Sequence, residues 1–131
     1  MGVKEQIYGY LSAHPELRAS VGLYDPDRDL LQRIGDDIKE TEIKVISGNW
    51  CPDCRIQVPR FFSVILALNH GDFGLEIIEV DRNKMDGNKM AEMMSVLAIP
   101  TIIFFRNGKE LGRIIERPKC RMQDDILEIL G

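Results

Sequence analysis

Apolar positions in the first third of the chain recur at helical spacing. Ile7, Tyr10 and Leu11 share one face of a helix over Val3–Ala13, which His14-Pro15 ends. A second helix is predicted from Asp25-Pro26, with the aspartate as N-cap and the proline at the first helical position, running through Leu30, Leu31, Ile34 and Ile38. Between the two, Ala19, Val21 and Leu23 alternate with the period of a short strand.

The pattern then changes to strands and helices in turn. Ile43–Ser47 is β-branched and predicts a buried strand, stopped by Gly48-Asn49. After Cys54 a long apolar helix carries Val58, Phe61, Phe62, Ile65 and Leu68, with Pro59 inside it as a kink and Asn69-His70-Gly71 as its stop. Leu75–Asp81 predicts a strand. Met85–Leu97 predicts a helix with Met90, Met94 and Leu97 on one face as core filler. Thr101–Phe105 and Glu110–Glu116 flank Asn107-Gly108, the dipeptide of a tight hairpin, and Pro118 precedes a closing helix over Met122–Leu130. Helices alternating with strands and ending in a hairpin predict an α/β three-layer sandwich on a mixed sheet.

Length and charge narrow this further. The 131 residues suit one domain, residues 1–131, with 1–24 as an N-terminal extension and 25–131 as the core. A hydrophobic fraction of 44% supports a packed core, and a net charge of −4 without a basic stripe argues against nucleic acid as a partner. Neither a leader-like apolar run at the start nor a bilayer-spanning run of about 20 residues appears, so no membrane is expected and the location is expected to be cytoplasmic.

The chemistry lies in Trp50-Cys51-Pro52-Asp53-Cys54. A C-x-x-C where a strand meets a helix puts the first sulfur at the helix N-terminus, where unpaired N–H groups and the macrodipole favour a thiolate at Cys51. Cys54, one turn on, can attack a mixed disulfide formed on Cys51. Pro52 fits the first turn and stiffens the loop. Asp53 sets a negative charge against the helix field, which points to a reductant or isomerase-like potential. Two thiolates are also half of a zinc site, but Cys120 stands alone and His14 and His70 are isolated, so the second pair is missing and no cofactor is expected.

Past the dithiol the chain resembles the thioredoxin family over roughly Asp25 to Leu130. The resemblance rests on Trp50 to Cys54 after a strand, Pro59 in the following helix, Ile99-Pro100-Thr101 opening a later strand, and the hairpin Phe105 to Lys109 before a last helix. It implies a cis Pro100 packed against the dithiol. It also implies a substrate groove formed with Trp50, in which the Ile99 backbone pairs with the bound chain. The five residues Trp50 to Cys54 resemble those of small thioredoxin-related proteins that favour small or selected disulfides.

Three departures stand beside the resemblance. Val45 occupies the position of the family's buried aspartate, leaving proton transfer to Cys54 to another base or water. Glu116 occupies a glycine position beside the groove, where a carboxylate would select substrates or, pointing inward, supply the base. The helix before His14 is extra. It would cover a sheet edge, mediate dimerisation or cap the core. Cys120 is expected to be a partly buried thiol.

The expected function is thiol-disulfide oxidoreduction, with Cys51 as nucleophile and Cys54 as resolving thiol acting on disulfides of proteins or small thiols. An external donor, such as a thioredoxin reductase or a glutathione-type system, would re-reduce the pair. The alternatives are a binding or redox-sensing module with little turnover, and a metal-binding C-x-x-C protein.

Overall fold

The computed structural model describes residues 2–68 and 72–131. The chain runs α1 (Val3–Ala13), a 3₁₀ turn (Pro15–Leu17), α2 (Arg18–Leu23), α3 (Arg28–Asp37), β1 (Thr41–Ser47), α4 (Pro52–Ala67), β2 (Gly74–Glu79), α5 (Met90–Met93), β3 (Thr101–Arg106), β4 (Lys109–Ile115) and α6 (Met122–Leu130).

The four strands form one mixed sheet in the order β2-β1-β3-β4. β1 runs parallel to β2, so the connection must cross over the sheet, and α4 makes that crossover. β3 lies antiparallel to β1 with Phe104 opposite Ile43, and β4 returns beside β3 through Asn107 and Gly108, both at positive φ as a tight hairpin turn requires.

Side-chain alternation divides the sheet into two faces. Ile43, Val45 and Ser47 of β1 share one face, as do Ile102 and Phe104 of β3, and all five are buried. The Phe104 ring meets Phe61 of α4 edge-on at 6.4 Å, and Gly112 of β4 lies against Ile129 of α6, so α4 and α6 cover this face. α1 packs on β2 and α4 through Val3, Ile7, Tyr10 and Leu11. On the other face lie Ile46 and Ile103, the short α5, and two solvated ion pairs, Lys44–Glu76 and Arg113–Glu110. The architecture is a three-layer α/β sandwich with unequal outer layers.

Several sequence expectations change. Ala19, Val21 and Leu23 lie in a helix, α2, because the turn begun at Pro15 continues into it and it packs on α4, with the Val21 carbonyl accepting from Ser63 of α4. α3 starts at Arg28 instead of Pro26, since the Asp27 carboxylate accepts the Asp29 and Leu30 amides at 2.9 and 3.2 Å and makes Asp27 the N-cap.

The helix expected over Met85–Leu97 shrinks to Met90–Met93. Asp81 and Asp86 take the intervening amides with their own side chains, Lys84 and Lys89 are left-handed, and Ser95 ends the turn at positive φ. Met90 and Met94 pack against the core, whereas Leu97 is 87% exposed and is not core filler. The Asn69-His70-Gly71 stop lies outside the described residues. No described helix is long and apolar enough to cross a membrane.

Candidate active site

β1 delivers the chain to the motif, and the loop after it is shaped by close packing. A Cβ at Gly48 would stand 2.5 Å from Trp50 Nε1, so only glycine lets the indole fold back over the loop. Trp50 is half-buried there, donates from Nε1 to the Val80 carbonyl at 3.1 Å, and carries the Arg82 guanidinium 5.4 Å above its ring.

Cys51 is the N-cap of α4, its amide donating to the Gly48 carbonyl at 3.0 Å and its carbonyl accepting from Arg55 at 3.1 Å. Pro52 occupies the first helical position. Cys51 and Cys54 are both free thiols and both buried, at 9% and 2% exposure. Asp53 between them is half-buried and Pro52 exposed. Pro59 lies inside α4, buried.

The Ile99–Pro100 peptide bond is cis, and both residues are buried. The Cys51 sulfur lies 3.7 Å from the Ile99 carbonyl oxygen, which joins the start of α4 to the start of β3. Glu116 sits just beyond β4 with φ +64°, its amide donating to the Pro100 carbonyl at 2.7 Å. Its side chain is exposed, so it is not an inward-pointing base beside Cys54. Val45, at the family's aspartate position, is fully buried and apolar.

Burial pushes the Cys54 thiol up to about 11, because ionising it would place a charge in the core; the nearby Ser47 hydroxyl and the Gly48 backbone oppose that rise, while the neighbouring Cys51 adds to it. Tyr10 of α1 is likewise raised by burial to about 12, with Ser47 lowering it and Glu79, Cys54 and Glu16 raising it further. A residue of the N-terminal extension is therefore electrostatically linked to the dithiol.

His14 follows it there. Its ring packs against Tyr10, tilted at 42° with centroids 4.5 Å apart, its Nε2 lies 2.8 Å from the Glu79 carboxylate, and its Nδ1 lies 3.5 Å from the Asn49 amide. His14 is thus built into the loop that carries the motif rather than isolated. Tyr10, His14, Ser47 and Glu79 escaped the sequence reading. The one local signal was the place of His14 directly after the helix that carries Tyr10.

Cys120 is exposed rather than partly buried, because Asp125 accepts the Lys119 and Cys120 amides at 2.7 and 3.1 Å and leaves the thiol outside. Among the described residues, no group of three or more His, Cys, Asp or Glu side chains comes together to hold a metal ion.

A mixed sheet with a C-x-x-C at the start of its crossover helix, facing an X-Pro carbonyl at the start of β3, defines a thioredoxin-fold dithiol protein. Comparison with known proteins agrees. The thioredoxin family model matches residues 15–127, and the chain belongs to that family.

Among relatives, the thioredoxin of Chlamydia pneumoniae is 35% identical over 68 residues, 52% of this chain and 61% of that protein. Thioredoxin H-type 1 of Nicotiana tabacum is 26% identical over 94 residues, 72% of this chain and 70% of that protein. The chain spans 61% and 56% of the lengths of the Chlamydia pneumoniae thioredoxin and of Arabidopsis thaliana thioredoxin H9. A Pseudomonas aeruginosa protein of unknown function shares the fold at a TM-score of 0.63 and 16% identity, covering 98% of this chain and 89% of that one. Its coverage takes in the N-terminal helices.

Proposed function

We propose that this protein is a thiol-disulfide oxidoreductase that reduces disulfides of proteins or small thiols through Cys51 and Cys54. The observation that carries the reading is the placement of two free thiols at the first turn of α4, with the Cys51 sulfur 3.7 Å from the Ile99 carbonyl. Cys51 stands at the N-terminus of α4 as its N-cap, while burial keeps Cys54 protonated at neutral pH.

In the proposed cycle the Cys51 thiolate attacks one sulfur of a substrate disulfide, forming a mixed disulfide and releasing a thiolate that takes a proton from water. Cys54 then loses its proton and attacks the Cys51 sulfur. The internal disulfide forms, the second substrate thiol departs, and two electrons have passed to the substrate. An external donor of the thioredoxin reductase or glutathione type returns them. Trp50, Ile99, Pro100 and Glu116 form the substrate side of the site, with Pro52 and Asp53 setting the dithiol loop. The same reading takes residues 1–131 as one thioredoxin-like domain of the cytoplasm, with 1–24 an extension packed into its core.

A Cys54→Ser variant tests it, since removal of the resolving thiol leaves clients bound to Cys51. Mixed disulfides recovered from lysate and released by dithiothreitol are the expected result. No trapped species, with Cys51 alkylated no faster than the exposed Cys120, would sink the assignment.

A further inference from the structure

The resolving step leaves a chemical demand that position 45 does not meet. Cys54 is 2% exposed and must become a thiolate to attack Cys51, yet the side chain where the family places a carboxylate is Val45. Another polar group on the same face of β1 is Ser47, at the strand's last position and 1% exposed.

Ser47 Oγ is buried with no hydrogen-bond partner. Leaving a buried hydroxyl unpaired is costly, so such a group is informative about its surroundings. It lies where it acts on the acidity of both the Tyr10 phenol of α1 and the Cys54 thiol of α4. A neutral thiol is a weak acceptor and a thiolate a strong one. The hydroxyl therefore gains a strong partner only when Cys54 ionises.

Tyr10 is held in register for this. Its ring meets Phe62 edge-on at 5.7 Å and packs against His14 at 4.5 Å, and His14 is anchored by Glu79 at 2.8 Å. Burial first, and after it Glu79 from β2 and Glu16 from the 3₁₀ turn, keep the phenol protonated, while Cys51 and the Gly48 backbone act on Cys54.

We propose that the Tyr10 and Ser47 hydroxyls are positioning residues that hydrogen-bond in series to the Cys54 sulfur and stabilise its thiolate during resolution, in place of the absent acid. The inference rests on the dithiol reading above. In the step, the Cys51–substrate bond breaks and the Cys51–Cys54 bond forms; the Cys54 proton passes to solvent and the departing thiolate takes one from solvent. Ser47 and Tyr10 keep their own protons. The N-terminal helix thereby belongs to the redox machinery.

The test is single-turnover reduction of 5,5′-dithiobis(2-nitrobenzoate) in a Cys120→Ser background, followed across pH. The first thionitrobenzoate released reports attack by Cys51, and the second reports resolution by Cys54. Tyr10→Phe, which keeps the ring, and Ser47→Ala are expected to move the second phase up by about one pH unit, slowing it about tenfold at neutral pH. The first phase should be unchanged, and Ser47→Thr should keep the parent profile. Variant profiles that superimpose on the parent's, or rates that fall without a shift along the pH axis, would overturn the proposal alone. A parent protein that releases no second equivalent would overturn the dithiol reading with it.

Discussion

The Glu116 amide donates to the Pro100 carbonyl at 2.7 Å while Glu116 itself is held at φ +64°. Around it the Arg117 amide closes back on the Ile115 carbonyl at 2.7 Å, a three-residue turn of the kind that is strained at positive φ. The hydrogen bond ties the end of β4 to the start of β3, beside the Ile99 carbonyl that faces Cys51. A glycine would meet this backbone demand freely, whereas a glutamate pays roughly 1–2 kcal/mol for a left-handed backbone.

Glu116→Gly is therefore expected to stabilise the reduced protein by about 0.5–1 kcal/mol, the strain relief being partly offset by the greater freedom of glycine in the unfolded chain. Glu116→Ala keeps the strained backbone and should bring no gain. Urea unfolding of the three proteins separates the backbone effect from loss of the carboxylate.

Alkaline pH should destabilise the reduced fold. Cys54 rises from 9.0 to about 11 and Tyr10 from 10.0 to about 12, each because burial disfavours its anion. In both cases the unfolded chain ionises first. The contribution is whole below pH 9.0 and declines as pH climbs through about 11 for Cys54, and from 10.0 through about 12 for Tyr10. Urea midpoints measured across this range should fall for the parent. They should fall less steeply between 9.0 and about 11 for Cys54→Ala.

Much of the architecture was legible because it rests on local pattern. The β-branched run in β1, the Asn107-Gly108 turn and the apolar face of α6 each specify an element without outside help. The failures have a common cause in side chains that bind backbone. Asp86 accepts the Asn88, Met90 and Ala91 amides and so replaces the start of an expected helix, and Asp27 takes the cap from Asp25. Such bonds depend on which carboxylate arrives first, and an apolar periodicity is blind to them. At the site, Cys51, Cys54 and Pro100 were marked by motif. Tyr10 and Ser47 were not, because bringing them together depends on how α1 docks against β2 and α4.

Trp50, the one tryptophan of the chain, makes the loop before the dithiol observable. A Cβ at Gly48 would lie 2.5 Å from its Nε1 and 2.7 Å from Cε2, so Gly48→Ala must displace the indole from the Val80 carbonyl and from beneath Arg82. Its fluorescence emission should shift and stability fall by about 1–3 kcal/mol, the cost of a lost, partly buried hydrogen bond with overpacking. Gly87→Ala, where an added Cβ meets nothing within 4 Å, is the control expected to change neither. Unchanged emission in Gly48→Ala would show that the indole does not rest on this loop.

His14 links the extension to the motif, and the link can be weighed by a double-mutant cycle with Glu79. The Nε2–carboxylate distance is 2.8 Å, but Glu79 is half exposed, so solvent screens much of the attraction. His14→Ala also removes the ring that packs against Tyr10 and faces Asn49, and should cost more than Glu79→Ala. The expected coupling is about 0.5–1 kcal/mol, read from urea unfolding of the two single variants and the double. If α1 were merely a cap on the core, His14→Ala would lower stability and leave the Trp50 emission unmoved. Because Asn49 adjoins Trp50 in the chain and contacts His14, loss of the imidazole is expected to shift that emission as well. The paired readout distinguishes an extension that braces the dithiol loop from one that only covers apolar surface.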